Sequence, residues 1–268
     1  MSNKHKMNGV NKTLYIPLYG KAYVSRKFLF LSDRKAEEIW EAEHFPLKGK
    51  SKSKWLAYYM GIRAAVFDSW LKEQIVNAED TAVIHIGCGM DSRVLRVGTN
   101  GLMWYDMDFP DVIEERKRYY SESKNYKMLS GDLRDPRWLS VISECKKAII
   151  VMEGVSMYLA PEELKTAFEA IGNRFDEVSL LADCYTVFAA KMSKYKNPIN
   201  DVGVTSVYGV DDPCMLQAGS IRYVKEHVMT PTQYVNELKG VEKLIFSKIY
   251  GGSMSKKLYR LYEYRKNM

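Results

Sequence analysis

Apolar residues recur along this chain at two spacings, and the spacing changes near residue 80. Trp55, Tyr59, Ile62, Val66 and Trp70 stand three or four residues apart, which is the repeat of one helix face and predicts a helix over residues 53–77. A shorter helix ending at Trp40 is predicted behind Ser32 and Asp33, both suited to cap it. Then Ala82, Val83, Ile84, His85 and Ile86 form a short, mostly apolar run closed by Gly87, the pattern of a buried strand. From there the two patterns alternate. Strands are predicted at 102–106, 126–129, 148–152 and 178–182, and helices at 110–120, 136–145 and 161–175, each helix opening on proline. Such alternation implies an α/β fold with a parallel sheet covered by helices on both faces. Strand-like runs at 244–250 and 257–264 flank Gly251 and Gly252 and predict a closing antiparallel hairpin. Residues 186–230 are irregular and read as an insertion before it.

Composition narrows the class. The 268 residues suit one large domain, and 46% hydrophobic with 27% charged residues is globular rather than disordered. No apolar run is long enough to cross a bilayer, and the basic start (Lys4, Lys6, Lys12) has no apolar stretch behind it. Cys88, Cys145, Cys184 and Cys214 form no CxxC pair, so neither zinc nor redox chemistry is expected and no metal ligand is assigned. A cytoplasmic, reducing setting is the expectation. The net charge of +7 hints at nucleic acid. Its basic residues are mixed with acids, however, as in Glu114-Glu115-Arg116-Lys117-Arg118, and that pattern belongs to a solvated helix face.

The chemistry gathers after the strands. Gly87-Cys88-Gly89-Met90-Asp91 follows the first one directly. Glycines there let the backbone turn sharply and approach a ligand. A dinucleotide fingerprint would continue with a third glycine; here that position is Ser92, preceded by Asp91. A carboxylate at that point is awkward for pyrophosphate and easier for a nucleoside carrying a cationic sulfonium. Asp106 and Asp108 end the next strand, where an acid can accept from ribose hydroxyls; one of the two is equally a turn or cap residue.

Two further segments, Ser130-Gly131-Asp132-Leu133-Arg134-Asp135 and Glu153-Gly154-Val155-Ser156-Met157-Tyr158-Leu159, complete a set. With Gly87 to Arg93 and Asp108-Phe109-Pro110, the chain resembles the leucine carboxyl methyltransferase superfamily, and within it the bacterial tetracenomycin-type polyketide O-methyltransferases. The likeness runs from about Leu14 to Leu181, with Pro17 to Ala22 and Val207 to Pro213 similar to the bacterial branch. It implies the class I methyltransferase (Rossmann-like) fold, a seven-stranded, mostly parallel sheet with an antiparallel last strand. It also implies S-adenosylmethionine as cofactor and S-adenosylhomocysteine as product. By this resemblance Lys21 and Arg63 hold the methionine carboxylate, a task suited to bidentate guanidinium pairing. Gly87 and Gly89 admit the methionine and ribose portions, and Asp108 holds the ribose hydroxyls. Asp132 and the N–H of Leu133 read the adenine edge, while Glu153 lies beside the methionine portion. His85 departs from the family pattern, where an acid or amide is common, and reads as a half-buried strand histidine with a satisfied ring.

One methyltransferase domain is therefore expected: a helical cap over 1–80, a cofactor-binding core over 81–185, a lid or acceptor insertion over 186–230, and a C-terminal helix and hairpin over 231–268. The acceptor is expected to be a small molecule, polyketide-like or aromatic and acidic, methylated on a hydroxyl or a carboxyl. A carboxylate acceptor needs no base, whereas a phenol or alcohol benefits from one. Tyr158, Tyr185, Asp212 and His227 are the acceptor-side candidates. A protein C-terminal carboxylate is the alternative acceptor. An RNA methyltransferase would want a clustered basic surface or an added RNA-binding module, and neither is visible. No membrane partner is expected, and oligomeric state is left open.

Overall fold

The computed structural model describes residues 12–193 and 207–267. Helices come first: α1 (Tyr15–Arg26), α2 (Arg34–Glu43) and α3 (Lys54–Ile75). The Asp33 side chain accepts from the Ala36 N–H at 2.8 Å and starts α2, and Ser53 caps α3, as N-cap residues do. The remaining order is β1 (Thr81–Ile86), α4 (Arg93–Val97), β2 (Met103–Asp108), α5 (Pro110–Arg116), β3 (Tyr126–Ser130), β4 (Lys147–Met152), α6 (Pro161–Arg174), β5 (Glu177–Tyr185), α7 (Val187–Met192), β6 (Arg222–His227), α8 (Thr232–Val235), α9 (Gly240–Tyr250), α10 (Gly252–Leu258) and β7 (Tyr259–Lys266). Among the described residues no helix is long and apolar enough to cross a membrane.

The strands form one sheet of order β3-β2-β1-β4-β5-β7-β6. β1 to β5 pair in parallel, and β7 runs antiparallel to both β5 and β6. Strand alternation sends Val83, Trp104, Ile149, Val151 and Leu261 to one face, where Tyr58, Phe67 and Trp70 of α3 cover them. Ile84, Ile150, Leu180 and Tyr262 face the other side, against Phe168 and Ile171 of α6. Burying one side chain such as Phe67 or Phe168 contributes roughly 1.5–3 kcal/mol.

Three sequence expectations are corrected. Residues 244–250 lie in helix α9, not in a strand; a short apolar run does not separate the two states, and Gly251 divides two helices rather than turning a hairpin. The antiparallel partner of β7 is β6, which falls inside the segment expected to be an insertion. β6 is an edge strand with no buried residue, interrupted by a register shift between Tyr223 and Lys225, so it lacks the apolar alternation that marks a strand. Residues 136–145 hold only a 3-10 turn over Pro136–Val141. Of the expected lid over 186–230, residues 194–206 lie outside the described residues.

The order of β1 and β4 in the sheet creates a switch point, with chain connections leaving to opposite sides. Ligands bind in the crevice beyond the strand ends at such a point. α1 and α3 roof this crevice because they approach closely. A Cβ on Gly20 would stand 2.7 Å from Met60 Cβ, and one on Gly61 would stand 2.7 Å from Val24 Cγ2. That contact brings Lys21 and Arg63, each adjacent to the crossing, over the sheet.

Candidate active site

A cavity of about 770 Å³ opens at the switch point, a size proper to small-molecule sites. Its floor comes from the carboxyl ends of β1 to β5 and its roof from α1 and α3. α7, Tyr250, Leu258 and Tyr259 close the remaining side. At one end, Gly87 has φ +66°, and a Cβ there would stand 2.1 Å from Val155 Cγ2. Only glycine permits this turn.

Asp108 ends β2 beside the turn. Its carboxylate accepts from the N–H groups of Gly89 (2.7 Å) and Phe109 (2.8 Å), yet burial outweighs these bonds and pushes its pKa up to about 6. Asp106, two residues earlier, takes a different role. It is fully buried and paired with Arg116, whose Nη1 donates to the Gly89 carbonyl at 2.9 Å. Burial raises the Asp106 carboxyl, but Arg116, helped by the Trp104 indole N–H at 2.8 Å, overcomes this and holds it at about 2. Arg116 thus ties the end of β2 to the glycine turn.

Buried ion pairs run from the cavity wall, at Lys21, Arg63, Asp91 and Glu153, into the protein behind it. Lys21 Nζ donates to Asp91 at 3.1 Å. Arg63 donates to Glu153 at 3.0 Å and to Asp183 at 2.9 Å. Arg93 pairs with Glu153 and with Asp68 at 2.8 Å. Burial works against the Glu153 charge, but Arg63 and Arg93 hold its pKa at about 2. Asp183 is instead pushed up to about 6 by burial, against the pull of Arg63 and of the Gly154 N–H. His85 is 1% exposed. Its Nε2 lies 3.0 Å from Arg93 Nη1, and its Nδ1 lies 3.4 Å from Asp106 without a hydrogen-bond partner. Burial and Arg93 lower its pKa, so the ring is neutral. Its ring is therefore half satisfied rather than fully satisfied.

Past β3, Asp132 is bound by Arg134 through Nε at 2.9 and 3.1 Å and Nη2 at 2.5 Å. Arg134 lowers the Asp132 pKa accordingly. The structure thus brings Lys21, Arg63, Gly87, Gly89, Asp108, Asp132, Leu133, Glu153, Tyr158 and Tyr185 to one cavity. Two acceptor-side candidates are not brought there. His227 lies on edge strand β6 and pairs with Glu263 at 2.6 Å. Asp212 caps a 3-10 turn through the Cys214 N–H at 2.9 Å. Neither lines the cavity. Sequence reasoning missed Asp183, Arg93 and Arg116. Arg93 stood within the quoted glycine motif, but nothing in the sequence said that it lies under the cavity.

The sequence profile of the leucine carboxyl methyltransferase family matches residues 17–172, more than half of the chain. The chain belongs to this family. Two curated relatives agree. The tetracenomycin polyketide synthesis O-methyltransferase TcmP of Streptomyces glaucescens is 24% identical, covering 91% of this chain and 92% of its own. The S-adenosyl-L-methionine-dependent methyltransferase dpfgK of Gibberella zeae is 25% identical over 63% of this chain and 61% of its own. Among solved structures, an S-adenosylmethionine-dependent methyltransferase from Anabaena variabilis shares the fold, with a TM-score of 0.52 and 12% identity over 77% of this chain and 84% of its own. This member of the leucine carboxyl methyltransferase family is an S-adenosylmethionine-dependent methyltransferase.

The cavity's chemistry fits that cofactor. S-adenosylmethionine carries a carboxylate, an ammonium, a sulfonium, a ribose diol and an adenine. The glycine turn leaves space that a Cβ would fill. Cations and carboxylates stand together at the middle, and an acid stands at the strand end where a ribose would be held.

Proposed function

We propose that this methyltransferase esterifies a carboxylate on a flat, aromatic small molecule. The observation that carries this reading is the make-up of the cavity beyond Arg63 and Glu153. There the walls are Tyr59, Tyr158, Tyr185, Tyr250 and Tyr259 with Leu56, Met157, Ala189 and Leu258. Among the described residues the acids and the histidine that line the cavity are His85, Asp91, Asp108, Asp132 and Glu153, all at the strand ends beside the glycine turn and the ion pairs, while Asp183 is bound by Arg63 and the Gly154 N–H. Burial also raises the pKa of the Tyr158 and Tyr259 phenols, which makes them poor bases near neutral pH. A phenol or alcohol acceptor would go without a base, whereas a carboxylate is already ionised. Lys50, exposed at the rim, offers positive charge to an arriving anion.

In this reading Lys21 and Arg63 take the cofactor's carboxylate, Glu153 its ammonium, Asp108 the ribose diol, and Asp132 with the Leu133 N–H the adenine edge. The bound cofactor supplies an electrophilic methyl group on a sulfonium. The chain's own work is alignment and exclusion of water from an in-line displacement. TcmP, named for O-methylation in polyketide synthesis, supports the choice of a small molecule.

The test is mass spectrometry of products formed with methyl-labelled S-adenosylmethionine. The acceptor panel holds aromatic acids, matched phenols and a peptide ending in leucine. Labelled esters of aromatic acids are expected. Label only on phenols, or only on the peptide, would overturn the reading.

A further inference from the structure

We propose that the Tyr59 hydroxyl donates the hydrogen bond that orients the acceptor in the aromatic end of the cavity. The proposal rests on the acceptor reading given above. Tyr59 stands one turn before Arg63 on α3, so both side chains lie on the same helix face and both line the cavity. Tyr59 is 1% exposed, yet its hydroxyl has no hydrogen-bond partner. A buried phenol ordinarily finds one, because leaving the group dry and unpaired is costly. Among the described residues, five buried side-chain atoms lack partners, and only those of Tyr59 and His85 belong to cavity residues. His85 lies at the cofactor end, on β1. Tyr59 therefore holds the unspent donor at the acceptor end.

Its ring is fixed. Tyr250 stacks on it at 4.8 Å and 25°, and Tyr259 lies 5.7 Å away. Tyr185 meets Tyr259 edge-on at 4.5 Å, and the Arg63 guanidinium sits 5.8 Å from the Tyr259 ring centre. These rings hold the Tyr59 ring in place beside Tyr259, within electrostatic reach of Arg63 and Asp183. Burial pushes the Tyr59 phenol pKa upward, so the group remains a protonated donor and suits an anionic oxygen. The bond goes to the carboxylate oxygen that is not methylated. A donor on the reacting oxygen would tie up the electron pair that attacks the methyl group. Ser255, a buried hydroxyl, interacts with the Tyr59 oxygen without a hydrogen bond of ordinary geometry, so a structural strut between Tyr59 and Ser255 is the competing role.

The experiment is calorimetric titration of 2-naphthoate into protein loaded with S-adenosylhomocysteine. Wild type, Tyr59→Phe and Ser255→Ala are compared, with thermal midpoints and product-cofactor affinity measured alongside. The expected result is a Kd for 2-naphthoate about tenfold or more weaker in Tyr59→Phe, the scale of losing one hydrogen bond to a charged group. Product-cofactor affinity and midpoint stay unchanged, and Ser255→Ala binds as wild type does. Equal naphthoate affinity in Tyr59→Phe and wild type overturns the role of Tyr59 alone. A matched fall in midpoint in both variants, with naphthoate affinity intact, assigns the strut and overturns it likewise. No binding of 2-naphthoate to loaded wild type overturns the aromatic-acid reading and Tyr59 with it.

Discussion

Two backbone N–H groups already reach Asp108, from Gly89 and Phe109, yet burial still lifts its carboxyl from 3.8 to about 6. Because the folded pKa lies above the unfolded one, the folded chain takes up this proton first. The charge therefore costs stability above pH 6, and that cost is relieved as pH falls from about 6 to about 4. In the proposed role of Asp108 cofactor binding pulls the other way, since ribose hydroxyls would donate to the ionised form. Affinity for S-adenosylhomocysteine is expected to be full at pH 7 and above. Below about pH 6 it should fall, approaching about tenfold per pH unit. Calorimetry across pH 5–8 reads this directly, and Asp108→Asn should bind weakly with that pH dependence flattened. Asp132 offers a contrasting case. It is part-exposed and held by Arg134 alone, so Asp132→Ala is expected to weaken nucleoside binding while leaving folding stability within about 1 kcal/mol of wild type, as for exposed pairs. A collapsed midpoint with unchanged affinity per folded molecule would make it structural. At this scale the glycine turn and the acids after β2, β3 and β4 were legible because strand ends impose a local order. Asp183 and Arg116 were not, because partners 120 and 10 residues away respectively leave no common motif.

Between elements, the crossing of α1 and α3 sets the position of both Lys21 and Arg63. Gly61→Leu would force a side chain into the space held by Val24. Overpacking of this kind typically costs about 1–3 kcal/mol, and here it should also move Lys21 from Asp91. The expected outcome is a lowered thermal midpoint together with weaker cofactor binding, by scanning calorimetry and titration. Unchanged cofactor affinity would show that the crossing does not set the site. Both helices announce themselves in sequence through caps and a helical repeat, but their contact does not, since two glycines 41 positions apart carry no periodic signal. The strands of the parallel half were likewise visible as buried apolar runs. β6 was hidden because an edge strand carries polar residues by design against self-pairing. α9 was misread for the opposite reason, because Leu244, Ile245 and Phe246 make an apolar run of which only Phe246 is buried, Leu244 and Ile245 being exposed like Val241 before them.

For the molecule as a whole, β7 is the telling element. It lies between β5 and β6 and is antiparallel to both, and it places Tyr259 in the cavity wall. Removing residues 259–268 is expected to abolish cooperative unfolding, because it takes away the strand that joins β6 to β5 and with it the Leu261, Tyr262 and Tyr264 contacts on both faces. Circular dichroism melts and gel filtration would show this, and a sharp, monomeric melt would refute it. The same placement bears on how the protein is made. Synthesis delivers β1 to β5 first, so an unfinished chain on the ribosome carries β5 with a bare edge and β6 with no neighbour to join. The sheet closes only when Tyr259–Lys266 has emerged, and until that moment the nascent chain needs shelter from self-association.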